Sequence, residues 1–468
     1  MSEGRRNFGF VKFGNRRRTP IPRGMVYDGR LSFIVTGAIW LLIAFMIVPD
    51  GFDYSTEGSM PTEGSAVSRV IWIALLAFGV LVVLWRAALA RLVLRQINPF
   101  ILLFVLLATA SVLWSIDAAV TVRRVIRVLT IVLDSLAFVL LAWQAQRFQQ
   151  VVRSIVTIVL FGSIFFVLVA PNLAIEQSNK SELLGAWKGL ATTKNLLGSV
   201  AGLGFIFWLH GGLAKEVRPA ALIAGVLASL LCLVMSRSST SAMATVFAAM
   251  LLLLLLRSPH GFRRYSRTIV GLFAALLLMY SMAMLKLVPG LEFLLAPITI
   301  ATGKDLSFTG RTDIWQVITA HIQLRPYLGD GFGAYWTGNN PLTESYEMVI
   351  RLYFYPTEGH NGYLDVTNDL GFAGMLCLLG YLILYLRQCM RLLTVERTQA
   401  ALYLALFFQQ LILNLSESCW FNGLRVEFVV MTLATFAMGR DLVQRRFSAF
   451  FPEPRLRASA AVRLTDRG

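Results

Sequence analysis

The dominant pattern along the chain is a run of apolar residues long enough to cross a hydrocarbon core of about 30 Å, ended by a short polar or basic stretch and then repeated. Twelve such runs are read near residues 31–48, 69–86, 99–114, 125–142, 152–170, 196–210, 219–235, 241–256, 268–287, 369–386, 399–415 and 424–439. The longest interval between runs, 288–368, holds a candidate amphipathic helix, a Gly-rich turn and many aromatics, so it reads as a small folded unit and not a linker. The pattern predicts an all-α integral membrane protein of about twelve transmembrane helices with one large extracytoplasmic loop containing short helices. Its expected divisions are a basic tail over 1–30, helices one to nine over 31–287, the loop over 288–368, helices ten to twelve over 369–440 and a second basic tail over 441–468.

Composition agrees: with 56% of 468 residues hydrophobic, the chain is not a string of soluble domains. Only 15% of residues are charged, yet the net charge is +17, so the placement of Lys and Arg carries information. If the N-terminal tail is cytoplasmic, the inside segments are that tail, 87–98, 143–151, 211–218, 257–267, 387–398 and the C-terminal tail. They hold most of the basic residues, as the positive-inside rule requires. An even number of spans then puts both tails inside and the 288–368 loop outside, in a bacterial inner membrane with the loop periplasmic. The basic balance is thereby explained by topology, and no nucleic-acid partner is expected. The first thirty residues are polar and basic, without the pattern of a cleavable signal peptide, so the first apolar run is expected to stay as an anchor. Cys232, Cys377, Cys389 and Cys419 lie in or beside apolar runs with no CxxC pair, and read as small core residues. No metal site is expected.

Charged residues on the outer face run against the topology bias and invite a functional reading. Arg237 stands in MSRSSTSAM, a short turn where a guanidinium and hydroxyls can hold a phosphate; the alternative is an interfacial arginine reaching for headgroups. Arg311 opens TGRTDIWQVITAHIQLR, with Thr309 as a candidate cap and Asp313 in the first turn. Helical spacing places Arg311, Ile314 or Trp315, Ile318, Ile322 and Arg325 along one side, so this helix is expected to lie against the membrane; His321 reads as an ordinary polar position. EGHNGYLDV sets Glu358, His360, Asn361 and Asp365 just before an apolar run, where a neutral imidazole can take a proton from a sugar hydroxyl; a structural loop histidine is the competing reading. Lys188, Lys194 and Asn195 at one span mouth and Asn414, Glu417 and Arg425 at another are weaker outer-face groups. Arg123, Arg124 and Arg127 follow LWSIDAAVT, with Arg127 deeper in the bundle. The Gly-rich GDGFGAYW follows a helical pattern outside the membrane and reads as a turn, not an ATP phosphate loop.

In their order around the long loop, SVLWSIDAAVTVRR, WKGLATTKNLLG, MSRSS, TGRTDIW with PYLGDGFG, HNGYLDVTNDLGFAG and NLSES resemble the O-antigen ligase and exopolysaccharide polymerase superfamily of membrane glycosyltransferases. The resemblance covers most of the chain and implies a GT-C-like membrane enzyme whose donor is an undecaprenyl-diphosphate-linked oligosaccharide. It implies roles for Arg237 and Arg311 on the donor diphosphate and for His360 in activating the acceptor glycan. Lys194, Asn195, Arg127, Glu358, Asn361 and Glu417 are the expected substrate-binding residues. Thr193 departs from the polymerase branch, which often has His before Lys-Asn. An activated donor needs neither nucleotide nor cofactor; an inverting, metal-independent transfer follows. Polymerase is favoured on the TKN and NLSES segments, with chain-length co-polymerase and export proteins as expected partners. The alternatives are a ligase passing finished glycan to a lipid A core and, in a different class, a polysaccharide transporter or flippase.

Overall fold

A computed structural model of the protein describes residues 29–49, 54, 66–144, 146–177, 184–258, 264–284, 311–338 and 341–446. Each apolar run falls on a helix: α1 Gly29–Ile47, α2 Ala66–Trp85, α3 Ala87–Leu94, α4 Pro99–Ala110, α5 Ala118–Leu141, α6 Arg147–Val169, α7 Lys194–Leu213, α8 Pro219–Met235, α9 Ser239–Arg257 and α10 Ser266–Met284. After the interval come α11 Arg311–Ile322, the short α12 Glu347–Leu352, α13 Gly362–Leu393, α14 Arg397–Leu413 and α15 Val426–Arg446. Among the described residues the one pairing of extended backbone is an antiparallel bridge between Ile175 and Trp187. The tails and residues 285–310, which include Thr309, lie outside the described residues.

Local chemistry sets the helix starts. Asn98 Oδ1 accepts Phe100 N at 3.1 Å with Pro99 at the first helical position, so the chain turns sharply between α3 and α4. Asp117 caps α5 through Val120 N at 3.0 Å. Thr193, where the polymerase branch often has His, caps α7 through Leu196 N at 3.2 Å.

Among the described residues five helices, α2, α6, α7, α9 and α13, are long and apolar enough to cross a membrane, and the pair α3–α4, bent by 105°, adds a sixth if it forms one span. Outward faces expose Ile34, Leu81, Phe165, Ile223, Val246 and Ile383, side chains suited to lipid. The protein is an integral membrane protein. Helices α14 and α15 are almost wholly buried and carry polar groups inward, including Gln409 and Gln410 on α14 and Arg440 and Asp441 on α15. A central helix sheltered from lipid can hold such groups because neighbouring helices supply partners. Arg440, for example, donates to Asp441 Oδ1 at 2.7 Å. Length and hydropathy therefore do not fix the total of twelve spans. All four cysteines are buried and unbridged.

Two sequence expectations are corrected in the unit that follows residue 310. Helix α11 does not rest its apolar side on the membrane: Ile314, Trp315, Val317 and Ile318 pack with Tyr335, Trp336 and Met348 in a separate small core. The following segment supplies the apolar cover, so no lipid is needed. His321 is not an ordinary polar position; it is buried, with Nε2 2.8 Å from Asp330 Oδ2 and Nδ1 2.7 Å from Glu347 Oε1.

The Gly-rich turn joins this unit to the bundle. Its amides are spent on protein acceptors: Asp330 N on Asn368 O at 3.1 Å, Gly331 N on Asp369 O at 2.9 Å, Phe332 N on Ser111 Oγ at 2.9 Å and Gly333 N on Asp369 Oδ2 at 2.9 Å. This is a structural turn, as expected. It fits because α13 breaks at Gly371, whose φ of 61° and lack of a Cβ let Tyr327 backbone press against it.

Candidate functional site

The N-terminal ends of α7, α9 and α13 and the C-terminal end of α14 meet around the 414–425 segment. Asn414 organises that segment: its Oδ1 accepts Cys419 N at 2.9 Å and Trp420 N at 2.8 Å, while its carbonyl and that of Glu417 both accept Gly362 N at 3.0 Å. A Cβ on Gly362 would collide with Asn414 Oδ1, so only glycine allows α13 to start here.

On this frame sits a chain of alternating charges. Arg311 Nη2 donates to Glu417 Oε1 at 3.1 Å, and its Nη1 donates to the Ser416 carbonyl. Asn195 Nδ2 donates to the same Glu417 oxygen at 2.9 Å. Arg425 Nη2 lies 3.7 Å from Glu417 Oε2 and pairs directly with Glu358 Oε1. Glu358 Oε1 in turn lies 3.2 Å from His360 Nδ1, an atom that is buried and makes no aligned hydrogen bond among the described residues. Burial opposes the ionised Glu358, but Arg425 and then His360 outweigh it and hold the carboxyl well below the ordinary carboxylate range.

The loop bearing His360 is held from both sides. Trp315 Nε1 donates to Gly359 O at 3.0 Å, and Gly359 N donates to Asp365 Oδ2 at 3.1 Å. His360 itself has a left-handed φ of 49°, uncommon for a residue with a Cβ. Asn361 is engaged as the cap of α13, accepting Tyr363 N at 3.1 Å and Leu364 N at 3.2 Å.

The remaining predicted residues stand around this chain. Arg237, also left-handed with φ 50°, is exposed in the α8–α9 turn, where Nη1 donates to Leu184 O at 2.8 Å. Its turn is tied to the cluster by Ser416 Oγ, which donates to Thr240 Oγ1 at 2.9 Å. Lys194 opens α7 beside Asn195. Arg127 has its guanidinium 5.9 Å from the Trp72 ring centre and its Cβ facing Gly423.

Glu358, His360 and Glu417 bring one ligand-type atom each within 4.8 Å of one another, as do His321, Asp330 and Glu344. A guanidinium already spans the carboxylates in each group: Arg425 in the first, and in the second Arg325, 2.6 Å from Asp330 Oδ1 and 2.8 Å from Glu344 Oε1. The sequence pattern ranked Arg425 among the weaker groups, although an arginine beside NLSES at the mouth of an apolar run was the signal that could have found it.

The arrangement offers what group transfer at a sugar requires: arginines for a leaving anion, an imidazole beside a carboxylate for a hydroxyl proton, and polar side chains to orient substrate. Comparison with known proteins points the same way. The O-antigen ligase family model matches residues 224–379, a span containing Arg237, Arg311, Glu358, His360 and Asn361. Over 313 residues the chain is 25% identical to the exopolysaccharide production protein ExoQ of Rhizobium meliloti, covering 65% of this chain and 68% of that protein. The two matches together support membership of this chain in the O-antigen ligase/ExoQ-like family of glycosyltransferase-type enzymes, the family its motifs resemble.

Proposed function

We propose that the protein is a polysaccharide polymerase that transfers an undecaprenyl-diphosphate-linked oligosaccharide onto an acceptor glycan at the periplasmic face of a bacterial inner membrane. In this reading twelve helices span the membrane, both tails are cytoplasmic, and the chemistry lies between the outer loop and the bundle. The observation that carries it is the convergence of Arg311, Glu417, Arg425, Glu358 and His360, drawn from α11, the loop before α13 and the loop before α15.

His360 takes the proton of the acceptor hydroxyl as that oxygen attacks the sugar C1 from the face opposite the leaving diphosphate, inverting the anomeric centre. Glu358 favours the imidazolium that forms. The two donor arginines divide their work. Arg311 arrives with Glu417 already on it, whereas Arg237 presents its guanidinium to solvent with a backbone carbonyl as its acceptor. Arg237 therefore brings the larger uncompensated charge to the diphosphate, and Arg311 fixes the cluster while adding hydrogen bonds. Lys194 and Asn195 line the approach.

The Asn195–Glu417 bond joins the TKN and NLSES segments that favour a polymerase. The description of the matched family, an O-antigen ligase, supports transfer of finished glycan to a lipid A core as the second reading. Purified protein supplied with a defined lipid-linked repeat unit separates them. A polymerase lengthens the unit alone, a ligase acts only when lipid A core is added, and a transporter changes neither substrate covalently.

A further inference from the structure

Arg425 is half-buried, with 17% of its side chain exposed, and is the one described guanidinium that faces both Glu358 and Glu417. Its position decides the geometry of the loop histidine. Glu358 uses the same oxygen, Oε1, toward Arg425 and toward His360 Nδ1, so the guanidinium fixes where that oxygen sits. His360 cannot simply follow a displaced carboxylate, because its backbone is left-handed and its neighbours Gly359 and Asn361 are held by Trp315, Asp365 and the start of α13. On the other side, Glu417 Oε2 faces Arg425 while Oε1 serves Arg311 and Asn195. Without the guanidinium, two buried carboxylates with oxygens within 4.8 Å of each other would face one another with no cation between them, Arg311 serving Glu417 from its far side.

We infer that Arg425 is a positioning residue for the transfer reaction: it acts through Glu358 to hold the imidazole of His360 in register with the acceptor hydroxyl, filling with a side-chain cation the place between the two glutamates. It touches neither substrate nor reacting atoms. The inference rests on the proposed role of His360 as the base. It adds a residue that lies outside the matched family region, which ends at 379.

The test is a double-mutant cycle on elongation of a defined lipid-linked repeat unit by purified protein, with kcat and KM determined separately. Arg425→Gln and Glu358→Gln are each expected to lower kcat by about thirtyfold or more with KM for the lipid-linked donor little changed, and the double variant should be no slower than the worse single one. The charged groups around His360 and Glu358 are Arg425, Glu417 and Asp365, so the acid limb of the rate profile is also expected to move when Arg425 is neutralised. Arg425→Lys keeps the buried charge and the fold but reaches the two carboxylates less well. It should restore the wild-type limb with partial kcat, and it replaces Arg425→Gln in the cycle if the latter does not fold. Penalties of Arg425 and Glu358 variants that multiply fully, or a loss seen in KM alone, would overturn the inference. Wild-type turnover in His360→Ala would instead remove the base reading beneath it, so the two failures are distinguishable.

Discussion

The two donor arginines should separate cleanly, and Arg237 gives the sharper experiment. Arg237→Ala removes one hydrogen bond to a backbone carbonyl on an exposed side chain, a loss to the fold of about 1 kcal/mol. Arg237→Gly removes the same bond but also relieves a left-handed backbone worth roughly 1–2 kcal/mol, partly offset by about 0.4–1 kcal/mol of extra chain entropy. Both variants should therefore unfold within about 1 kcal/mol of the wild type. If Arg237 faces the charge that grows on the leaving diphosphate, both should slow transfer about a hundredfold or more, close to 2.7 kcal/mol of transition-state stabilisation. Arg311→Ala behaves differently. It leaves Glu417 with Arg425 at 3.7 Å and Asn195 at 2.9 Å, and because Arg311 is a fifth exposed the 3–5 kcal/mol expected for breaking a buried pair shrinks to about 2. The assay pairs elongation of a lipid-linked repeat unit with thermal unfolding in the same detergent. Arg237 variants that elongate within about threefold of the wild type would refute the assignment, and so would a large loss of stability, because the activity loss would then report folding.

Other outcomes follow from single sites. His360→Ala in cells should leave single lipid-linked repeat units accumulating if the protein polymerises, and long chains stranded on the carrier lipid if it ligates; normal polymer would exclude the base role. His321 should give stability a pH dependence. Burial alone would lower its affinity for a proton, but hydrogen bonds to Asp330 and Glu347 outweigh this and raise it to about 9. The clasp therefore contributes fully below about pH 6.5 and is lost as pH rises through 9, on the order of 2–3 kcal/mol counted once for the pairs. Thermal unfolding of wild type and His321→Asn between pH 6 and 10 should show a falling difference, and a constant difference would refute it. Gly362→Ala should destabilise by roughly 1–3 kcal/mol, because a Cβ meets the Asn414 side-chain amide, whose Oδ1 is held in place by Cys419 N and Trp420 N. An unfolding midpoint equal to that of the wild type would show that the segment relaxes.

The sequence by itself determined the elements. Apolar runs gave the helices, since a segment in lipid must satisfy its own backbone and can do so only by coiling. The starts of α4, α5 and α7 were written in Asn98-Pro99, Asp117 and Thr193, because a cap depends on residues two or three positions away. Charged residues between apolar runs, including Arg237, Arg311 and His360, marked the neighbourhood of the proposed site, because the expected topology does not ask for them there. The tertiary structure decided which of these charges face one another. Asn195 and Glu417 are 222 residues apart and Arg425 and Glu358 are 67 apart, and no local periodicity encodes such meetings. It also decided which face of α11 was buried, because Tyr335, Trp336 and Met348 outcompeted the membrane for the same apolar side chains, and it turned His321 from a plain polar residue into a charged clasp. The physical reason is common to all of these. Helix formation is settled within a few residues, whereas partner choice among buried ions depends on which side chains the packed bundle leaves within about 4 Å of each other.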